Sequence, residues 1–340
     1  MMTMKKVRIG ILGCANVAAK YAIKAFQALD SAEVVAIASR DYTKAKEWGN
    51  KFGVEAVPSY EELLQRKDVD AVYIPLPIGL HEEWVLKAAA TGKHILCEKS
   101  LSGSFASVKK MVESCRGKGI VLYENFMCDF HPQHAAVKNI LEQGEVGQPL
   151  VFRGYFGFPP FPESSFRYDA GLGGGSLNDA GAYTVFMARK MFGEPISVTA
   201  SLAVDGRATV DFQGSAFLEF ADSKVGLLSF GFNNVYQNNY SVWGSKGKIS
   251  VNRAYSVPPE MKPQVELLKN ENLRETVTVL DIPAANHFEL IFHDFCETVL
   301  SKDEDKMNFM YQQLLSQAKV LEAVRISARE NRKVNIGEVS

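Results

Sequence analysis

Residues 7–18 read VRIGILGCANVA, and this stretch decides the fold of the first part of the chain. Its apolar start, residues 7–12, is typical of a buried β-strand. Gly13, Ala15 and Ala18 then fill the three slots of a GxGxxG/A turn that opens a helix. In such a turn the first glycine makes the bend, the second slot brings backbone close to a pyrophosphate, and the third lets helix and strand pack closely. The stretch predicts a dinucleotide-binding βα unit, with Ala15 adding a methyl group where glycine is usual.

Outward from this unit, short β-rich runs alternate with helical patterns up to about residue 125. The predicted strands are residues 7–12, 33–39, 71–76, 94–97 and 120–124, and the predicted helices are residues 18–29, 43–51, 60–65, 81–91 and 105–118. Alternating strands and helices with near-continuous apolar strands are typical of a parallel sheet covered on both faces. We therefore predict an α/β Rossmann domain with a doubly wound parallel sheet over residues 1–125.

The pattern changes after Phe126, where longer strands separated by Gly, Asn and Asp turns take over. The predicted strands are residues 150–158, 196–204, 215–220, 225–232, 240–243, 248–251, 265–268 and 276–280, and the predicted helices are residues 132–143, 178–192, 287–300 and 307–329. This predicts an α+β domain with a large, mostly antiparallel open sheet over residues 126–340.

The composition limits the classes of partner. Of the 340 residues, 46% are hydrophobic and 23% charged, which fits two globular domains. Lys and Arg total 38 and Asp and Glu 39, so a net charge of −1 favours neither nucleic acid nor a membrane as a partner. The five cysteines are odd in number and lack a CxxC pair, which indicates reduced thiols in a cytoplasmic protein. No apolar run approaches the ~20 residues that span a bilayer, and no signal peptide is evident.

The end of the second predicted strand, residues 33–39, indicates which dinucleotide binds. NAD users usually place an acidic side chain there to accept from the ribose 2′-hydroxyl. Here Ser39 is followed by Arg40, with Lys44 one turn along the next helix, and a hydroxyl with two cations suits a 2′-phosphate. The sequence therefore favours NADP(H) over NAD(H). Two alternatives stay open: both cations are solvated helix-start residues, or Asp41 dilutes the preference.

Two further motifs carry a family resemblance. Residues 75–81, PLPIGLH, and 92–99, GKHILCEK, resemble the signature of the glucose-fructose oxidoreductase/inositol dehydrogenase/MocA family. The resemblance runs from residue 7 to about residue 329. It implies an N-terminal Rossmann domain and a C-terminal α/β domain with a large open sheet. One departure is plain: the family's Glu-Lys-Pro reads Glu98-Lys99-Ser100 here, which removes a local φ restraint beside the lysine.

Residues 173–183, GGGSLNDAGAY, narrow the subgroup, because Tyr183 stands where many family members carry the histidine of an Asp-x-x-x-His motif. This looks like the branch of dihydrodiol dehydrogenase, D-xylose dehydrogenase and sugar 3-ketoreductases. Residues 158–168 and 238–259 look most like NADPH-dependent 3-ketoreductases of deoxysugar biosynthesis. The resemblance implies reduction of a sugar ketone, at C3 of a dTDP-linked keto-deoxysugar. It leaves open an NADP-dependent dehydrogenase of a free sugar such as D-xylose or of a trans-dihydrodiol, and, more remotely, a non-catalytic dinucleotide-binding sensor.

Three side chains in these motifs suit ketone reduction. Lys99 directly follows a predicted parallel strand, at the edge where ligands of such sheets bind, so its ammonium can stabilise a developing alkoxide. Tyr183 can deliver the proton. Asp179, four residues earlier on the same helix face, can orient a sugar hydroxyl or the lysine. The alternatives are a solvated surface lysine and a tyrosine packed in the core.

The resemblance also implies which residues surround the cofactor and the substrate. The residues assigned to the cofactor are Gly13, Ala15, Asn16, Val17, Ser39, Arg40, Lys44, Pro75, Leu76, His81, Glu98 and Asn125. The residues assigned to the substrate are Arg167, Tyr236 and Asn239. Arg167 either meets a substrate diphosphate or forms a surface ion pair. No metal is expected, because His131 and His134 lack the Cys or carboxylate cluster that would complete a tetrahedral set.

The strands of the second domain also predict self-association. Residues 216–220 and 225–232 carry bulky apolar side chains on both sides of the predicted sheet, whereas the helices suffice to cover one face. An exposed apolar face usually marks an interface. We therefore expect a homodimer or homotetramer that forms through this sheet.

Overall fold

The computed structural model describes residues 5–204, 209–271 and 273–340. Within that part, the chain divides into two compact units. The first unit ends at Met127 and also contains Phe288–Leu315, and the second comprises Cys128–His287 and Ser316–Ser340. This division differs from the sequence-based boundaries, 1–125 and 126–340, mainly because Phe288–Leu315 lies with the first unit.

The first unit is built on a parallel sheet. Its strands, among the described residues, are β1 (Val7–Leu12), β2 (Ala32–Ala38), β3 (Glu55–Val57), β4 (Ala71–Ile74), β5 (His94–Cys97) and β6 (Leu122–Glu124). They lie in the order β3-β2-β1-β4-β5-β6, and all neighbours are parallel. This is the doubly wound Rossmann order, which confirms the predicted fold class. The sequence pattern missed β3, which is only three residues long.

Helices connect these strands. They are a π-helical turn (Ala18–Ala22) continued by α1 (Ile23–Gln27), then α2 (Tyr42–Phe52), α3 (Tyr60–Gln65), α4 (His81–Ala90) and α5 (Phe105–Arg116). The side chains of Asp41, Ser59 and Ser104 accept backbone N–H bonds at the starts of α2, α3 and α5. These caps satisfy otherwise unpaired donors and fix where each helix begins.

Two long helices close the chain, α8 (His287–Ser301) and α9 (Glu304–Glu330), and the boundary between the units falls within α9. Aromatic packing explains why nearly all of α8 belongs to the first unit. Phe292 stacks on Phe26 with ring centroids 4.1 Å apart and lies 5.8 Å from the ring of Tyr73. Burying these rings against one another contributes hydrophobic stabilisation that the first unit would lack without α8.

The second unit is built on a large open sheet. Its strands, among the described residues, are β7 (Pro149–Phe158), β8 (Ser197–Val204), β9 (Asp211–Glu219), β10 (Val225–Phe232), β11 (Gln237–Gly244), β12 (Gly247–Asn252), β13 (Gln264–Glu271), β14 (Arg274–Val279) and β15 (Val334–Asn335). They lie in the order β14-β13-β12-β11-β7-β10-β9-β8-β15. The central pair β7–β10 is parallel and the other neighbours are antiparallel. This confirms the predicted, mostly antiparallel sheet.

The two faces of this sheet differ. Helix α6 (Pro132–Glu142) precedes β7, and a π-helical turn (Leu177–Gly181) continues into α7 (Ala182–Phe192), which packs on β7 and β10. The outer face carries Phe217, 37% exposed, beside Ser215 and Ser229, whose hydroxyl oxygens lie 3.0 Å apart. This face is more polar than the sequence analysis expected, because serines occupy outward positions of β9 and β10.

The described residues also bear on two sequence-based expectations. No helix in them is long and apolar enough to cross a bilayer. All five cysteines are free thiols, and four of them are buried.

Candidate active site

The turn after β1 is shaped for a close approach of backbone. Gly13 has a φ of +125°, and its N–H donates to the Ala38 carbonyl oxygen at 2.9 Å. A Cβ on Gly13 would lie 2.8 Å from Cδ2 of Leu76. Ala15, Asn16 and Val17 follow, none of them buried, and the helix then begins without an acidic residue in its first turn. No side chain caps the backbone N–H groups at the start of this helix, so they are able to bind an anion.

The end of β2 presents two cations beside a buried hydroxyl. Ser39 is buried and its Oγ accepts from the Asp41 N–H at 3.2 Å, whereas Arg40 and Lys44 are exposed. The Asp41 carboxylate caps α2 by accepting from the backbone N–H groups of Thr43 at 2.9 Å and Lys44 at 3.4 Å. These bonds fix the carboxylate at the start of α2, where the helix dipole partly offsets its negative charge.

The carboxyl ends of β4, β5 and β6 bring four predicted residues together. Pro75 follows β4, Glu98 and Lys99 follow β5, and Asn125 follows β6. The Glu98 N–H donates to the Ile74 carbonyl at 3.1 Å, and the Asn125 N–H donates to the Cys97 carbonyl at 2.8 Å, so parallel pairing extends to this edge. Ligands of open parallel sheets bind at this edge.

Glu98 organises a buried polar group at this edge. Its Oε1 accepts from the Tyr73 hydroxyl and from Nδ2 of Asn125, both at 2.6 Å. Burial raises the pKa of Glu98, and these two donors oppose the rise. Oδ1 of Asn125 is buried and has no hydrogen-bond partner within the part of the chain that the structure describes. A buried orphan acceptor at a ligand-binding edge fits a bound group that donates hydrogen bonds.

The turn that carries Lys99 is held from two sides. The peptide bond between Lys99 and Ser100 is cis. The Leu101 N–H donates to Oε1 of Glu124 at 2.6 Å. His81, at the start of α4, is fully buried, with its ring nitrogens close to the carbonyl oxygens of Leu76 and Ser100.

In the second unit, a cap positions the helix that carries Asp179 and Tyr183. Asp211, on β9, accepts from the Ser176 hydroxyl at 2.6 Å and from the Leu177 N–H at 2.7 Å. A Cβ on Gly175 would lie 2.5 Å from the Asp211 carboxylate, which explains the glycine at this position. Sequence reasoning missed Asp211. An acidic residue near a glycine run is a weak signal, since their pairing depends on how the sheet folds.

Asp179 and Arg167 form an ion pair in this unit. Nε of Arg167 donates to Oδ2 of Asp179 at 2.5 Å, and both side chains are mostly buried, with 27% and 17% of their surfaces exposed. The guanidinium lies over the rings of Phe161 at 4.2 Å and Phe166 at 4.8 Å. The structure thus brings together two predicted site residues and fixes the plane of the arginine fork.

Tyr183 is buried on the inner side of the sheet. Its ring centroid lies 5.2 Å from that of Phe156 and 5.9 Å from that of Tyr255. Asn238 faces the same side, since its Oδ1 accepts from the Tyr255 N–H at 2.7 Å. Its Nδ2 donates to the Tyr236 hydroxyl at 2.9 Å.

The predicted substrate residue Asn239 follows Asn238 on β11 and therefore points to the opposite face of the sheet. Its amide donates to Oε1 of Gln237 at 3.1 Å. Tyr236 is 39% exposed, with the Arg253 guanidinium 4.8 Å above its ring. The structure therefore places Tyr236 and Asn238, rather than Asn239, on the side of Tyr183. Sequence reasoning missed Asn238, although strand alternation from buried Tyr240 could have found it.

The histidines of the second unit serve as packing and capping groups. His131 caps α6, and His134 lies 2.9 Å from both the Tyr240 hydroxyl and the Ala254 carbonyl oxygen. Burial lowers the pKa of His131 to about 4 and that of His134 to about 3. Across the described residues, no group of three or more His, Cys, Asp or Glu side chains is placed to hold a metal ion.

Comparison with known proteins settles the family. Residues 7–126 match the model of an oxidoreductase family with an NAD-binding Rossmann fold, GFO_IDH_MocA, and residues 134–250 match the GFO/IDH/MocA C-terminal domain. The chain belongs to the GFO/IDH/MocA oxidoreductase family. The resemblance identified from the sequence motifs is thus confirmed.

Two curated relatives are dTDP-3,4-didehydro-2,6-dideoxy-alpha-D-glucose 3-reductases. The one from Actinomadura kijaniata is 36% identical over 95% of this chain and 96% of its own length. The one from Saccharopolyspora spinosa is 38% identical over 82% of this chain and 83% of its own. A crystal structure of KijD10, a 3-ketoreductase from Actinomadura kijaniata in complex with NADP and TDP-benzene, superposes with a TM-score of 0.90 and 35% identity. That match covers 95% of this chain and 98% of that one.

Proposed function

We propose that this protein is an NADPH-dependent reductase of a nucleotide-linked sugar ketone, acting at C3 of a dTDP-linked keto-deoxysugar. The observation that carries the proposal is the near full-length likeness to 3-reductases of such sugars. A lysine and a tyrosine stand at the positions of this chain that the resemblance makes catalytic, Lys99 and Tyr183.

The cofactor is NADP(H). The Gly13 turn presents backbone without a side chain, and the helix after it offers a pyrophosphate N–H donors that no side chain caps. Ser39, Arg40 and Lys44 suit the 2′-phosphate, and the orphan Oδ1 of Asn125 suits a donating amide. When bound, the reduced nicotinamide supplies the hydride that forms the new C–H bond.

The side chains of this protein supply the remainder of the reduction. The Lys99 ammonium donates to the carbonyl oxygen and stabilises the negative charge that develops on it. The Tyr183 hydroxyl delivers the proton that completes the O–H bond. Asp179 fixes Arg167 through their 2.5 Å ion pair, so that the other side of the guanidinium meets the substrate diphosphate.

Substrate turnover tests the proposal. The purified protein is assayed for NADPH oxidation with a dTDP-linked 3-keto-deoxysugar, and for NADP⁺ reduction with D-xylose and with a trans-dihydrodiol. Faster turnover of either alcohol would move the assignment to a dehydrogenase. NADPH binding without turnover of any of the three would identify a dinucleotide-binding sensor.

Two single variants and their double variant test the catalytic pair. Lys99→Met removes a cation aimed at the oxyanion and is expected to lower kcat roughly a hundredfold or more. Tyr183→Phe is expected to lower kcat about 10–100-fold, with little change in NADPH affinity. The two losses are less than additive, because both residues act on one oxygen atom. The matched control is Lys138→Met, because Lys138 is a lysine at an exposed position of α6. Near-normal turnover in Lys99→Met would contradict this mechanism.

The oligomeric state belongs to the same proposal. A homodimer or homotetramer forms through the outer face of the large sheet, where Phe217 is 37% exposed and Leu227 lies beside it. A charge at the centre of that face, Phe217→Asp, is expected to yield monomers by light scattering. A wild-type monomer at micromolar concentration would overturn this part.

We place the enzyme in the cytoplasm, where its five free thiols stay reduced.

A further inference from the structure

His81 occupies an unusual position between two strand-end segments of the first unit. Its ring is fully buried. Nε2 lies 2.8 Å from the Leu76 carbonyl oxygen and Nδ1 lies 3.0 Å from the Ser100 carbonyl oxygen. Each ring nitrogen thus faces a backbone acceptor. A neutral imidazole carries one N–H and donates to one of them, whereas an imidazolium donates to both.

One acceptor belongs to the segment after β4, which packs on the cofactor turn, and the other belongs to the segment that carries the catalytic lysine. The Leu76 side chain packs on Gly13, where an added Cβ would lie 2.8 Å from Cδ2 of Leu76. Ser100 is joined to Lys99 by the next peptide bond. A continuous path of contacts therefore runs from the dinucleotide turn, through His81, to the backbone of the lysine.

We propose that His81 is a positioning residue, which holds the Ser100 carbonyl against the segment after β4 and thereby fixes where the Lys99 ammonium lies. The proposal rests on the proposed function for the role of Lys99. It differs from the sequence analysis, which grouped His81 with residues that contact the cofactor. Both ring nitrogens face backbone carbonyls, so His81 acts through the two loops.

Burial and backbone contacts shift the pKa of the His81 imidazole in opposite directions. Burial lowers the pKa of His81, while the carbonyls of Leu76, Ser100 and Leu101 oppose the fall, and the nearby Lys99 charge adds to it. The neutral form, with one donated hydrogen bond, is therefore the state near neutral pH. Replacing the ring by one without nitrogen removes this donated hydrogen bond and leaves its carbonyl acceptor without this partner, which loosens the turn.

The test compares His81→Phe, which keeps a ring of similar size, with His81→Gln, which keeps an amide donor. The matched control is His94→Phe. His94 lies at the amino end of β5, opposite to Lys99, and its Nδ1 accepts from the Val121 N–H at 3.0 Å. The control therefore removes one histidine hydrogen bond from the same strand without touching the turn.

The main readout needs no sugar. Lysines are reductively methylated with ¹³C-formaldehyde, and the Lys99 signal is assigned by its absence in Lys99→Met. His81→Phe is expected to displace this signal, His81→Gln to displace it less, and His94→Phe to leave it unchanged. With the keto-sugar, His81→Phe is expected to lower kcat about 10–100-fold, the cost of a misplaced catalytic group. NADPH affinity changes by a few-fold at most, and the isotope effect with deuterated NADPH rises.

Several outcomes decide the question. An unmoved Lys99 signal in folded His81→Phe, or an equal displacement in His94→Phe, would overturn the proposal. If His81→Phe does not fold, His81→Leu takes its place. Leucine donates no hydrogen bond, so an unmoved Lys99 signal there counts against the proposal and a displaced one supports it. Absence of turnover in the wild type would refute the proposed function, while the methyl-lysine comparison still tests the role of His81.

Discussion

Replacing Arg40 by alanine tests the cofactor preference. A hydrogen bond between charged groups contributes roughly 1.5–3 kcal/mol. Because Arg40 is exposed, solvent screening moves its contribution to a 2′-phosphate to the lower end, about 1.5 kcal/mol, or about tenfold in Kd. The Asp41 carboxylate is fixed at the start of α2 and its negative charge offsets part of this attraction, which is a second reason to expect the lower end of the range. NADPH is therefore expected to bind Arg40→Ala about tenfold more weakly, with NADH nearly unchanged.

The assay is a fluorescence titration of NADPH and NADH at low and high salt. The advantage of the wild type for NADPH is expected to shrink as salt rises, because the contact is exposed. Lys46→Ala is the matched control, since Lys46 is an exposed cation on α2 whose ammonium lies over the Tyr42 ring. Ser39→Asp places a carboxylate where the phosphate would lie and is expected to reverse the preference. Equal weakening of both dinucleotides in Arg40→Ala, or tighter binding of NADH by the wild type, would refute this reasoning.

Two other changes are expected to have measurable effects. Gly13→Ala forces a side chain onto a φ of +125°, at a cost of about 1–3 kcal/mol, and pushes on Leu76. NADPH affinity should fall at least about tenfold, whereas Gly92→Ala, at a φ of +78° in open space, should lower stability alone. Acid should destabilise the fold through three buried histidines. They are His131, His134 and His287, with pKa values of about 4, 3 and 3. The unfolded chain binds protons from about pH 6.5, so stability falls as pH drops below that value, by about 2 kcal/mol per histidine at pH 5. Urea midpoints at pH 7.5 and 5 measure this loss, and equal midpoints would contradict it.

The sequence predicted most of the first unit because buried parallel strands leave a local signal. Near-continuous apolar runs separated by helical periodicity located five of its strands, whereas β3 has three residues and leaves no period to detect. The assignment of Phe288–Leu315 to the first unit was not predictable from local patterns. An apolar helix face shows that it is buried, but its partner, such as Phe26 for Phe292, is set by long-range packing.

The residues of the candidate site divide in the same way, into those that a local sequence pattern locates and those that depend on long-range packing. Lys99 and Asn125 follow directly from their places at strand ends, which the pattern of strands and helices gives. The pairing of Arg167 with Asp179 depends on how a loop folds over a helix, and no local pattern encodes it. On β11 a shift of one residue exchanges the faces of the sheet, so a local pattern does not fix that Asn238, and not Asn239, lies on the side of Tyr183.

The first unit is built from two segments that lie far apart in the sequence, and this affects how the chain folds during synthesis. Phe26 lies early in the sequence, yet its stacking partner Phe292 leaves the ribosome only after the whole of Cys128–His287 has been made. The first unit therefore waits with an incomplete core while the inserted chain forms its own sheet. Within that insertion, the central strand β7 must close a long loop to reach β10. Pairings so distant in sequence are slow to form, so we expect nascent chains that end before α8 to depend on chaperones more than the finished protein does.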